Sequence, residues 1–142
     1  VDSTVAANSS RGYGGGVYFY NGNVAVASST IAYNTAFYDN TAKSDIGAGV
    51  YLDTVTASFV NSIVASDTGG YDDPSNQRDC SHIGGTLTES FNIVQYPGDC
   101  AFAVDEQIDP QVLPTLADRG GPTPTLTIDP TGPAHDSGDP DG

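Results

Sequence analysis

The chain has 142 residues, of which 37% are apolar, and its formal net charge of −14 sets 18 acidic residues against four basic ones. The four, Arg11, Lys43, Arg78 and Arg119, are too few and too scattered to neutralise a phosphate backbone, which excludes nucleic acid and disfavours an anionic membrane surface. The length allows one domain, Met and Trp are absent, and no window carries the i, i+3, i+4, i+7 apolar pattern of a helix, so the chain reads as all-β.

Two phrases recur along the chain. "STVAANS" at residues 3–9 returns as "STIAYNT" at 29–35, as "SIVASD" at 62–67 and more faintly as "NIVQY" at 92–96. "GGGVYF" at 14–19 returns as "GAGVYL" at 47–52, and residues 16–34 align with 49–67 without a gap, 33 positions apart. Each unit reads as a strand ("GVYFY"), a turn at Asn21-Gly22-Asn23, a second strand ("VAVAS"), a short corner and a third strand ("STIAYN"), followed by a polar loop. Successive short copies are spaced by 26, 33 and 30 residues. Loops of variable length between constant strand phrases are the mark of a β-solenoid, whose insertions bulge from one face while the stacked core keeps register.

A phrase that returns once per coil pairs with its own copy, side by side and parallel. The predicted core ladders are therefore Val17 over Val50, Phe19 over Leu52, Val26 over Phe59 and Ile31 over Val64. Asn8, Asn34 and Asp67 form a predicted polar ladder at one corner, where Asn and Asp tolerate left-handed geometry and bond to turn backbone groups. The glycine runs before "VYF" and "VYL" suit a corner too tight for a Cβ. The rival, a Greek-key sandwich, needs two-residue hairpins, and Asn21-Gly22 alone fits one.

Cys80 and Cys100 are 20 residues apart, about one coil with its loop shortened. In a chain rich in Asn, Thr and Ser they read as a structural disulfide worth roughly 3 kcal/mol, and as evidence of secretion to the exterior. The spacing excludes a CxxC redox pair, and His82 beside Cys80 does not complete a zinc site. The expected division is coils over 1–104 and an irregular Pro/Gly-rich segment over 105–142 that packs on them through Leu113, Leu116, Leu126 and Ile128, with a sharp turn at Gly120-Gly121-Pro122. The chain starts at Val1, within a repeat phrase, which suggests a trimmed piece of a longer precursor or an end completed by a neighbouring chain.

The repeat phrases resemble those of parallel β-helix proteins of bacterial surfaces. The stretch "NSIVAS", "DC", "GGTLTESFNIV", a second Cys, then "DPQVLPTLADRGGPTPTLTIDPTGPAHDSGDPD" is similar to the domain called choice-of-anchor Q. That family closes its β-helix with "DP-x-L-x-PL-x-DNGG-PT-x-T" and "GSPAIDAGD". The resemblance covers most of the chain and implies a right-handed parallel β-helix, here of about four to five coils. His135 departs from it, standing where the family has an apolar residue, and the chain stops before the family's final strand.

Many right-handed β-helices are polysaccharide lyases or glycoside hydrolases. A lyase needs a basic proton acceptor and a cationic cleft, which four scattered basic residues do not make. A hydrolase needs paired carboxylates. Asp72 with Asp73, or Asp67 with Asp79, are formal candidates, but read more simply as loop acids, whereas Glu89 and Glu106 lie far apart in sequence. Neither His82 nor His135 has an identifiable nucleophile. Calcium has only faint candidates in Asp136, Asp139 and Asp141, and Asp105, Glu106 and Asp109 form another acidic group. The expectation is a non-catalytic extracellular structural or adhesive module without cofactor. Its partners would be copies of itself stacked head-to-tail into filaments, cell-surface components, or carbohydrate on Tyr18, Tyr20, Tyr33, Tyr38, Tyr51 and Tyr71. The alternative is a carbohydrate-active enzyme.

Overall fold

The structure is a computed structural model and describes residues 1–37, 47–69 and 78–139. Tyr38, Tyr71, Asp72, Asp73 and Asp141 lie outside the described residues. Within them the chain is all-β. Its strands are β1 (Thr4–Ala6), β2 (Ser9–Ser10), β3 (Val17–Ala27), β4 (Thr30–Ala32), β5 (Thr35–Ala36), β6 (Val50–Val60), β7 (Ile63–Ala65), β8 (Thr68–Gly69), β9 (Cys80–Ser90), β10 (Ile93–Val94), β11 (Val112–Ala117) and β12 (Thr125–Ile128). A single 3-10 turn covers Val104–Glu106.

The strands form three parallel sheets ordered β1-β4-β7-β10, β2-β5-β8 and β3-β6-β9, plus an antiparallel pair, β11-β12. Each parallel strand lies beside its own repeat copy: Thr4 faces Thr30, Thr30 faces Ile63, and Ile63 faces Ile93. Parallel neighbours need a long return path between them, and the intervening strands of the other two sheets supply it. The arrangement is compatible with a β-solenoid.

Three left-handed positions recur and set the corners. Asp2, Ser28, Asn61 and Phe91 form one series; Ala7, Tyr33 and Ser66 form a second; Asn21, Thr54 and Gly84 form the third. A non-glycine residue held there costs about 1–2 kcal/mol, so the paired backbones on either side must hold it. The turn expected at Asn21-Gly22-Asn23 is therefore a bend inside one strand. β3 keeps the same register with β6 before it (Tyr20 opposite Asp53) and after it (Gly22 opposite Val55), and Thr54 bends with Asn21.

Inward side chains stack as rows. Val17 lies opposite Val50, Phe19 opposite Leu52, Val26 opposite Phe59, and Ile31 opposite Val64. Val50, Leu52, Phe59, Val64, Val94, Cys80, Cys100 and Phe102 belong to one buried cluster, in which each large side chain contributes about 1.5–3 kcal/mol. Val5, Val17, Phe19, Val24 and Val26, from the first strands of the stack, pack against that cluster but are only partly buried.

The C-terminal segment corrects two expectations. It contains a regular antiparallel pair, with Val112 opposite Ile128 and a bend at Gly120. Leu113, Leu116 and Ile128 are exposed by 45%, 44% and 37%, and Leu126 is half-buried. Within β11 only Val112 is buried, and the residues that follow it are exposed or partly so. Attachment falls instead to the buried Val112, Pro110 and Ala134, to the Tyr33 hydroxyl donating to the Val112 carbonyl, and to the Asp139 N–H donating to Asn61 Oδ1 at 2.9 Å.

Candidate functional site

The polar residues of the stack form two hydrogen-bonded ladders, each ending in a carboxyl group. In the first, the Asn8 N–H donates to Asn34 Oδ1 (3.1 Å), the Asn34 N–H to Asp67 Oδ1 (2.7 Å), and the Asp67 N–H to Asp79 Oδ1 (2.9 Å). Asn34 Nδ2 also donates to Asp67 Oδ1 at 2.9 Å, and the Tyr96 N–H donates to Asp79 Oδ2 at 2.7 Å. The left-handed residue is the one before each rung (Ala7, Tyr33, Ser66), not the Asn or Asp itself. The bend at that position turns the rung's side chain inward, where it takes the N–H of the preceding coil.

Asp67 and Asp79 are fully buried. Burial, then the neighbouring Asp79 charge, pushes Asp67 up to about 9; burial pushes Asp79 up to about 7 against the N–H groups of Asp67 and Tyr96. The pairing of Asp67 with Asp79 considered from sequence thus exists. Asp67 Oδ1 and both Asp79 oxygens accept N–H groups of the stack, Asp67 Oδ2 is buried without a hydrogen-bond partner, and neither residue is exposed to solvent.

The second ladder runs Ser3, Ser29, Ser62, Asn92, Glu106. The Ser29 N–H donates to Ser62 Oγ (3.3 Å), the Ser62 N–H to Asn92 Oδ1 (3.1 Å), and the Asn92 N–H to Glu106 Oε1 (2.8 Å). Glu89, at the end of β9, reaches the same place, so two residues that are distant in sequence share one site. Burial first, then Glu89, raises Glu106 to about 7. The Oε2 atoms of Glu89 and Glu106 are both buried with no hydrogen-bond partner.

A cavity of about 340 Å³ opens beside this pair, lined by Phe91, Ile93, Ala103, Asp105, Ile108 and Ser137 among others. Sequence reasoning missed it because Glu106 sits in a 3-10 turn that belongs to no repeat. The signal was the recurrent position of Ser3, Ser29, Ser62 and Asn92, which demands one more acceptor after Asn92.

Cys80 and Cys100 form a disulfide with Cα atoms 5.9 Å apart, and Phe102 stands edge-on to Phe59 with ring centroids 5.8 Å apart. Together they close the core at the last coil. On the outer face of β3 and β6, Tyr13, Tyr18 and Tyr51 cluster, with Tyr18 and Tyr51 at 5.2 Å and the Tyr18 hydroxyl donating to Asp53 Oδ2 at 3.2 Å. Tyr51 is buried there and pushed up to about 12 by burial and then by Tyr13, while Tyr18 and Tyr20 stay exposed. Tyr33 has left the aromatic face altogether for its bond to Val112.

Among the described residues no group of three or more His, Cys, Asp or Glu side chains is placed to hold a metal ion. Asp136 pairs with His135 Nδ1 at 3.0 Å on the surface, and the Asp139 main chain is tied to Asn61. No helix of the described residues is long and apolar enough to cross a membrane. Comparison with protein-family models, curated proteins and solved structures finds no match to this chain.

Proposed function

We propose that the chain belongs to a right-handed parallel β-helix of about four to five coils, of the choice-of-anchor Q type, and serves as a non-catalytic extracellular structural or adhesive module. The observation that carries this reading is the pairing of every strand in three sheets with its own repeat copy. Such a stack is rigid and can be lengthened coil by coil. Its buried Asp67 and Asp79 accept the N–H groups of Asn34, Asp67 and Tyr96 along the stack, a scaffold role. The disulfide supports an exterior location.

Carbohydrate-active chemistry is the second reading, favoured by one observation, the Glu89–Glu106 pair beside its cavity. Incubating the chain with neutral and acidic polysaccharides, with and without Ca²⁺, separates the two. The structural reading expects no new reducing ends and no unsaturated product. Turnover that disappears in Glu106→Gln would overturn it. Adhesion is tested on the same panel by retention of the chain on immobilised glycans and on bacterial surface preparations, and absence of retention on all of them would leave a purely structural module.

A further inference from the structure

The outward face of β3 and β6 is built as a small aromatic platform. Val17 and Phe19 pack against the core, so alternation turns Tyr18 and Tyr20 to the opposite face. The pairing register then brings Tyr51 beside Tyr18 and Asp53 beside Tyr20. These side chains stand out from the sheet, not along the stack, so the face does not depend on what lies beside β3. Tyr51 is its floor, buried beneath Tyr13 and Tyr18 with ring centroids 4.4 and 5.2 Å away. Tyr18 and Tyr20 remain 48% and 65% exposed. Their centroids are 6.5 Å apart and their planes are inclined at 59°.

The carboxylate beside these rings is held in place. Asp53 Oδ2 accepts the Tyr18 hydroxyl at 3.2 Å, and Oδ1 accepts the Thr54 hydroxyl at 2.9 Å. A second acid, Asp99, is fixed nearby by the His82 N–H at 2.9 Å. The charged side chains that act on Tyr18 and Tyr51 are these two. Burial first raises both hydroxyls, Asp53 adds to each, and Asp99 adds to that of Tyr51. Ring faces are themselves negative through their quadrupoles. The platform is therefore an aromatic and acidic surface on a chain of net charge −14.

We propose that Tyr18, Tyr20 and Asp53 form a binding site for a small quaternary ammonium ion of the choline type, free in solution. A cation midway between the two rings lies within the roughly 6 Å over which a ring face attracts it. Asp53, bonded to Tyr18 and opposite Tyr20, supplies the counter-charge. Charge selects the ligand class, because an anion would meet both Asp53 and Asp99. A metal ion needs six or more oxygens, and among the described residues no three His, Cys, Asp or Glu side chains are grouped to hold one. A primary ammonium is strongly hydrated and keeps its water at so open a site. A trimethylammonium group lays its methyls on the rings and keeps its charge for the carboxylate. The site rests on this face alone, and stands whether the module is structural, adhesive or catalytic.

Titration with choline chloride at low salt, followed by NMR, tests this. The ring protons of Tyr18 and Tyr20 are expected to shift along one saturating curve in the millimolar range. The neutral isostere 3,3-dimethylbutan-1-ol, with carbon in place of the charged nitrogen, binds at least about tenfold more weakly. Tyr20→Leu removes a ring and Asp53→Asn removes the charge, and each weakens choline at least about fivefold. Tyr96→Leu, exposed beyond β10, leaves binding unchanged. Each variant is first shown to unfold cooperatively. No saturable shift by about 0.1 M choline, or equal binding of the isostere, overturns the proposal without any variant. Binding that survives both Tyr20→Leu and Asp53→Asn overturns it as well. So does retention on phosphatidylcholine vesicles without binding of free choline, which would make the ligand a membrane surface.

Discussion

The Asp67 carboxyl occupies the space where residue 49 would carry a side chain: a Cβ on Gly49 would stand 2.1 Å from Asp67 Oδ2 and 2.7 Å from the Asp79 carbonyl. The two recurring phrases of the sequence are thus one device, since the glycine before "VYL" admits the acid that ends "SIVASD". Gly16 stands in the same relation to Asn34, with a Cβ 2.9 Å from Nδ2. Gly49→Ala should cost about 2–3 kcal/mol, because the fixed carbonyl and the hydrogen-bonded carboxyl cannot both retreat. Gly12→Ala, with nothing within 4 Å, should stay within about 0.5 kcal/mol of the parent. Urea unfolding of the oxidised chain measures both.

Stability should fall as pH rises. Asp67, Asp79 and Glu106 are all held above the ordinary carboxyl range, at about 9, 7 and 7. Between the unfolded value near 4 and these folded values, the native state binds more protons than the unfolded one, so each unit of pH costs stability. The contribution is complete below about pH 4 and is lost progressively through 7 and towards 9. Urea midpoints from pH 4 to 9 should decline throughout. Asp67→Asn keeps an Oδ1 acceptor for Asn34 and cannot ionise, so its midpoint should match the parent at pH 4 and exceed it at pH 8. A parent midpoint that rises with pH would contradict the assignment.

The disulfide ties the last coil to the segment that covers it. Reducing Cys80–Cys100, or replacing both by Ala, should cost about 3 kcal/mol through the freed loop of the unfolded chain. Phe59→Ala should cost about 3–5 kcal/mol, since Phe59 is fully buried and loses its edge contact with Phe102. Phe102 follows Cys100 by two residues, so the effects should be non-additive: Phe59→Ala costs less once the disulfide is gone. A double-mutant cycle in urea measures the coupling.

What the sequence made legible was what repeats. The opposition of Val17 with Val50 and of Ile31 with Val64 follows from a constant offset between copies, and each ladder residue sits at a repeat position. What lies outside the repeat was invisible. Asp79, 12 residues from Asp67, occupies the rung after it, although the repeat puts Pro97 there; Glu106 ends the other ladder from a 3-10 turn. Both are endings, and an ending is defined by the groups it must satisfy, not by similarity to what precedes it. The C-terminal leucines misled for a related reason. Within β11 only Val112 is buried, and Leu113 and Leu116 beyond it remain exposed.

The Glu89–Glu106 pair makes the sharpest electrostatic prediction. Glu106 accepts the Asn92 N–H through Oε1, which favours the ionised form, yet burial and Glu89 together win and hold it near 7. Carboxyl ¹³C shifts should therefore show Glu106 titrating near neutrality. Replacing Glu89 by Gln removes the opposing charge and places an amide donor by the carboxylate, so the Glu106 midpoint should fall towards the ordinary range near 4. The same substitution should flatten the part of the stability profile around pH 7, since ionising Glu106 would no longer oppose a second charge. A Glu106 midpoint unmoved by Glu89→Gln would mean that burial alone sets it.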